Sequence, residues 1–186
     1  LVAGAKAVYG EAVFEQLYGE IAPIPETRLR ALADDETIAW GGRTLRFLHT
    51  LGHASHHGVI HDSRSSGIFS GDALGIGRGP HLRPGPPFVI AAAAPPDFDP
   101  AAARDTVQRL LALAPDRAYL AHFGRFDDVA GIAGILLRNI GQLEAIMADA
   151  EDHAIPDADL EAFLAPRVSH AFDEHLRVCG VADLAG

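Results

Sequence analysis

Leu48-His49-Thr50-Leu51-Gly52-His53-Ala54-Ser55-His56-His57 places four histidines in ten residues, directly behind an apolar alternation. Leu45, Phe47 and Leu51 alternate with Arg46 and His49, which predicts a strand over 43–50 with one face on a core. Just upstream, 36–40 reads as its partner, and Gly41-Gly42 between them suits a two-residue hairpin turn. Downstream, 59–61 predicts a short strand, 62–67 a turn, and 68–70 another strand that ends at Gly71-Asp72. Short strands in such close succession favour antiparallel pairing.

Beyond this sheet the pattern changes period. Residues 75–96 are rich in Gly and Pro and read as a long loop. Asp99-Pro100 then supplies a capping acid and a first-turn proline, predicting a helix to about residue 114 with Val107, Leu110 and Leu111 inward. Residues 118–121 form a strand leading to His122-Phe123-Gly124. A long helix follows from about 127, with Val129, Ile132, Leu136, Leu143 and Met147 on one stripe, and two further helices are expected over 157–164 and 168–179. At the front of the chain, 2–18 has apolar residues at helical spacing. The order predicts an α/β (α+β) arrangement with helices layered on a sheet.

Three of the predicted strands end in residues able to bind metal: Leu48-His49-Thr50-Leu51-Gly52-His53, Ile68-Phe69-Ser70-Gly71-Asp72 and Tyr119-Leu120-Ala121-His122-Phe123-Gly124. Imidazole suits zinc and related ions, and a carboxylate can touch two cations at once. Gly52 and Gly71 stand immediately before His53 and Asp72, where a side chain would crowd a metal or distort a turn. Among the other histidines, His49, His56, His57 and His61 are expected to be structural, and His81, His153, His170 and His175 solvated.

The run HTLGHASHH resembles the Thr-Pro-Gly-His motif of the metallo-β-lactamase superfamily, with Leu51 where proline is usual. IFSGDALG resembles its Gly-Asp motif and YLAHFG its last strand-end histidine, in family order. The resemblance implies part of an αββα sandwich over residues 1–150, N-terminally incomplete, with 151–186 as a C-terminal helical extension. It implies two divalent metal ions, usually zinc, with His53 on the first, His122 on the second, and Asp72 bridging both and thereby catalytic. The implied activity is hydrolysis of an ester, thioester, lactone or similar bond in a small-molecule substrate by metal-activated water. The family's opening motif, His-x-His-x-Asp-His, begins at no histidine here. Each metal would then have two protein donors where catalytic zinc normally has three. The chain is therefore expected to be inactive in isolation, with doubtful metal occupancy. The rival reading is a non-catalytic remnant acting in assembly or binding; a third is completion of the site by a partner chain.

Bulk properties narrow the partners. A net charge of −10 over 186 residues, from 15 basic and 25 acidic side chains, repels nucleic acid and anionic membrane. No apolar run approaching about 20 residues is apparent, so no membrane span is expected. One cysteine, Cys179, rules out a disulfide within the chain and suits the cytoplasm. The first residue is Leu1 and 2–18 enters a helix without a cap, as expected of a chain that starts partway through a longer gene product or of a processed one. Loss of a first half would leave an apolar sheet face, which a homo-oligomer would cover. Gly75-Ile76-Gly77-Arg78-Gly79 lacks a following helix and is a weak anion cradle, whereas Arg78, His81 and Arg83 would border the site's mouth in the family. No Gly-x-Ser-x-Gly elbow is present, which argues against a serine hydrolase.

Overall fold

Thr37–Trp40 (β1) and Arg43–His49 (β2) form the hairpin around Gly41-Gly42, pairing Trp40 with Arg43 and Thr37 with Arg46. The computed structural model describes residues 2–78, 86–93, 98–122 and 124–181. By internal packing these fall into two units, Leu1–Leu32 and Ala33–Gly186.

In the smaller unit the expected helix over 2–18 is divided at Gly10 into Val2–Tyr9 (α1) and Glu11–Tyr18 (α2). Phe14 is buried there against Tyr18, with Lys6 over its ring.

The larger unit is built on a six-stranded sheet. Gly58–Asp62 (β3) runs antiparallel to β2, and Gly67–Gly71 (β4) antiparallel to β3. A crossover follows, containing Ile76–Arg78 (β5), Phe88–Ile90 (β6) and the helix Pro100–Leu111 (α3). It returns the chain to Arg117–Leu120 (β7), which lies parallel to β4, and Gly124–Phe126 (β8) runs antiparallel to β7. The order across the sheet is β1-β2-β3-β4-β7-β8. β5 and β6 pair as a small separate sheet, so the segment expected to be loop holds regular structure. Three-residue strands are too short for alternation to reveal them, and β8 is hidden for the same reason.

Asp99 caps α3 by accepting from the Ala102 N–H at 3.0 Å. Asp128 caps Val129–Asp152 (α4) in the same way, accepting from Gly131 N–H at 2.8 Å. The core lies on one face of the sheet. Leu48, Val59, Ile68, Ala118, Leu120 and Phe126 meet Val107 and Leu110 of α3 and Ile132, Ala133, Leu136 and Ile140 of α4. By length and composition α4 could cross a membrane, but these side chains are buried in the core. Asp157–Val178 (α5) is one continuous helix, not two. Pro166 removes one helical hydrogen bond, but packing along α4 holds the helix through it: Arg167 donates to Asp149 at 3.0 Å and its guanidinium covers the Phe163 ring.

The opposite face of the sheet carries a different row. The register sets Phe47 beside Ile60, Ile60 beside Phe69, and Phe69 beside Tyr119. The rings of Phe69 and Tyr119 stack at 4.9 Å, and Phe69 is 46% exposed.

Candidate metal centre

β2, β4 and β7 run in the same direction, because two antiparallel steps separate β2 from β4 and β7 is parallel to β4. Their C-terminal ends therefore share one edge of the sheet. His53, Asp72 and His122, 69 positions apart from first to last (122 − 53), follow those ends. A register shift between Phe69 and Gly71 advances the end of β4 relative to β7, and Ala121 N–H donates to Gly71 O at 3.1 Å. This brings the residues after β4 alongside those after β7.

His53 is held by the loop behind β2. Asp99 N–H donates to Gly52 O at 2.8 Å and the Thr106 hydroxyl to Leu51 O at 2.8 Å, so α3 clamps that loop from both sides. Gly52 (φ 113°) lets the backbones touch: a Cβ there would lie 2.3 Å from Ala103 Cα. The crowding expected at this glycine is thus against α3. His53 Nδ1 lies 2.7 Å from Ala92 O. A carbonyl only accepts, so Nδ1 carries a proton, and in the neutral ring the lone pair is on Nε2. Ala92 follows β6 closely, and Asn139 of α4 holds the intervening residue by accepting from Ala91 N–H at 2.8 Å.

The Nε2 of His53 faces Asp72 Oδ2 at 3.5 Å, and the Nε2 of His122 faces Asp72 Oδ1 at 3.4 Å. One carboxylate therefore presents a different oxygen to each imidazole. Both separations are long for a direct hydrogen bond. They match the donor-to-donor spacing of about 3.4 Å that follows from tetrahedral geometry with metal–ligand bonds of about 2.0–2.2 Å. Asp72 Oδ1 is also buried without a hydrogen bond, a costly state for an anionic oxygen that a cation relieves. In kind and spacing these donors fit a pair of divalent cations. In number they fall short: among the described residues, no three His, Cys, Asp or Glu side chains are grouped to hold one ion.

His57, expected to be an ordinary structural residue, lies against this group. Its Nε2 accepts from the Asp72 backbone N–H at 3.0 Å, its Nδ1 is 2.7 Å from Thr50 Oγ1, and its ring meets that of His53 edge-on at 5.5 Å. Burial, and then the neighbouring His53, hold its pKa below the usual imidazole value. The β2–β3 register pairs His49 with Gly58 and so puts Thr50 opposite His57, a signal already implicit in two strands joined by a short loop.

The remaining histidines scatter. His49 is exposed, with Nε2 2.8 Å from Ser55 O, and His56, His153 and His170 are exposed. His61 is half-buried in β3. His175 is not solvated: it is 3% exposed, with Nε2 2.7 Å from Val89 O. Arg78 ends β5 and is exposed. His81 and Arg83 lie outside the described residues.

Comparison with known proteins places the fold. Among solved structures, an archaeal metallo-beta-lactamase superfamily protein from Sulfolobus tokodaii aligns over 77% of this chain and 50% of its own, at 22% identity and a TM-score of 0.58. A metallo-beta-lactamase family protein from Thermus thermophilus aligns over 96% and 61%, at 24% identity and a TM-score of 0.46. A beta-lactamase domain protein from Burkholderia ambifaria aligns over 80% and 40%, at 21% identity and a TM-score of 0.48. The chain thus spans about half the length of the first of these proteins. No curated protein matches its sequence. The sequence profile of the metallo-beta-lactamase superfamily matches residues 4–122, well over half of the chain, and its members are in general metal-dependent hydrolases. The chain belongs to the metallo-beta-lactamase superfamily.

Proposed function

We propose that this chain contributes the bridging carboxylate and one imidazole per ion to a two-cation hydrolytic centre. His53 serves the first cation, His122 the second, and Asp72 both. The observation that carries the reading is the division of the Asp72 carboxylate, one oxygen toward each imidazole. Divalent cations in such a centre lower the pKa of bound water and polarise the bond under attack. The chain's own part is to set two donor nitrogens and a shared anion on one rigid edge. Substrates of the class are small molecules with an ester, thioester, lactone or similar bond; fold alone does not choose among them. Zinc is our first choice of metal.

Two donors per cation are fewer than the three that catalytic zinc normally takes, so the isolated chain is expected to bind metal weakly and turn over slowly or not at all. The same shortfall favours a second reading, a non-catalytic domain acting in binding or assembly. Elemental analysis after dialysis against zinc, iron or manganese, with an ester, thioester and lactone panel across protein concentration, separates them. In the first reading Asp72→Asn lowers zinc affinity by more than about 100-fold, beyond what loss of an orienting residue costs. A specific rate that rises with protein concentration would mark completion of the centre by a second copy. Metal retention that ignores Asp72→Asn would refute the centre.

A further inference from the structure

We infer that His57 is a positioning residue for the metal centre: braced by Thr50, its imidazole fixes the backbone at Asp72 and so the direction of the carboxylate. This inference rests on the two-cation reading above.

The hydrogen bonds determine the state of the ring. The Asp72 backbone N–H can only donate, so His57 Nε2, 3.0 Å away, must accept and carries no proton. The neutral ring then carries its proton on Nδ1, which points to the Thr50 hydroxyl at 2.7 Å. Thr50 is 1% exposed, and its own N–H donates to His57 O at 3.0 Å, so backbone and side chain clamp the same pair. Both ring nitrogens are engaged. His57 therefore has no lone pair left for a metal, and the third donor missing from the centre is not this histidine.

Gly71 shows how close the brace sits. Its φ is 50°, and a Cβ there would lie 2.5 Å from His57 Nε2. Any side chain at position 71 would push the imidazole off the Asp72 amide. The glycine before the aspartate is thus required by an imidazole, with no need to invoke crowding of a metal. Since Asp72 Oδ1 and Oδ2 face different imidazoles, a rotation of the aspartate would lose both pairings together.

The test uses the 186-residue chain with zinc ion alone as the probe, and compares His57→Leu with His57→Gln. Glutamine Oε1 can stand where Nε2 stands and accept from the amide; leucine fills the space without accepting. Circular dichroism and urea unfolding monitor the fold. The expected result is a loss of about 10- to 100-fold in zinc affinity for His57→Leu, the range typical of residues that orient a ligand, with most of it restored by His57→Gln. Equal zinc affinity in folded His57→Leu and wild type would overturn the inference, as would a folded His57→Gln no better than His57→Leu. Should His57→Leu fail to fold, Thr50→Val replaces it: without the hydroxyl that braces Nδ1–H, zinc affinity should fall and the Asp72 amide resonance should move, and a folded Thr50→Val that changes neither would overturn the inference. Absence of zinc binding in wild type would instead sink the metal-centre reading. In that case the Asp72 amide resonance of the metal-free chain still judges the brace: it should move in His57→Leu and hold in His57→Gln, and an amide unmoved in both rejects it.

Discussion

Asp62 shows how single residues tie the sheet's turns to solution conditions. It ends β3 with its side chain 2% exposed, accepting from the Ser65 hydroxyl at 2.8 Å, Arg64 N–H at 3.1 Å and Arg43 at 3.2 Å. The Ser65 hydrogen bond first, then the Arg64 N–H and Arg43, hold its pKa below the ordinary 3.8. A carboxylate with a lowered folded pKa contributes stability that is complete above its unfolded value and lost as pH falls through the folded one. The expected outcome is that the wild-type melting temperature falls below about pH 4, whereas Asp62→Asn, already less stable at neutral pH, shows a shallower acid limb. Parallel melting curves from pH 2 to 7 check this, and identical limbs would remove Asp62 from the account. The histidines teach a related lesson. Most of the ten look alike in composition until their partners are known; only His53, at the Gly-His step, and His122, after an apolar strand, carry enough local pattern to single them out.

At the scale of elements, the loop behind β2 and the helix α3 behave as one part. Asp99, Thr106 and Gly52 join them through two hydrogen bonds and a backbone contact with no room for a methyl group. Gly52→Ala would combine overpacking with an unfavourable φ of 113° for an L residue, at a cost of about 2–4 kcal/mol. Urea unfolding of the variant measures it, and a change under about 0.5 kcal/mol, the level of an ordinary surface substitution, would show that α3 shifts freely. The glycine itself was legible in the sequence, but its reason was not. α3 lies about fifty residues further on, and nothing local announces which backbone it will touch. α5 teaches the converse: Pro166 is a strong local signal for a break, and packing along α4 overrides it.

For the whole molecule, one face of the sheet is buried under α3 and α4 while the other carries Phe47, Ile60, Phe69 and Tyr119 in a single row. We propose that a second copy of the chain covers this row. Sedimentation equilibrium should then show self-association that Phe69→Lys weakens, and a wild-type chain monomeric at every concentration would dismiss the proposal. By itself the sequence indicated the family, the longer strands and helices in their order, and the three strand ends followed by His or Asp, because alternation, capping and Gly-His or Gly-Asp steps are local and survive without a partner in view. Only the tertiary structure decided that β2, β4 and β7 share a direction, that Asp72 turns one oxygen to each imidazole, and that His57 grips the Asp72 amide. Those facts depend on strand pairing and side-chain packing between residues far apart in the chain, and no local pattern encodes such distances.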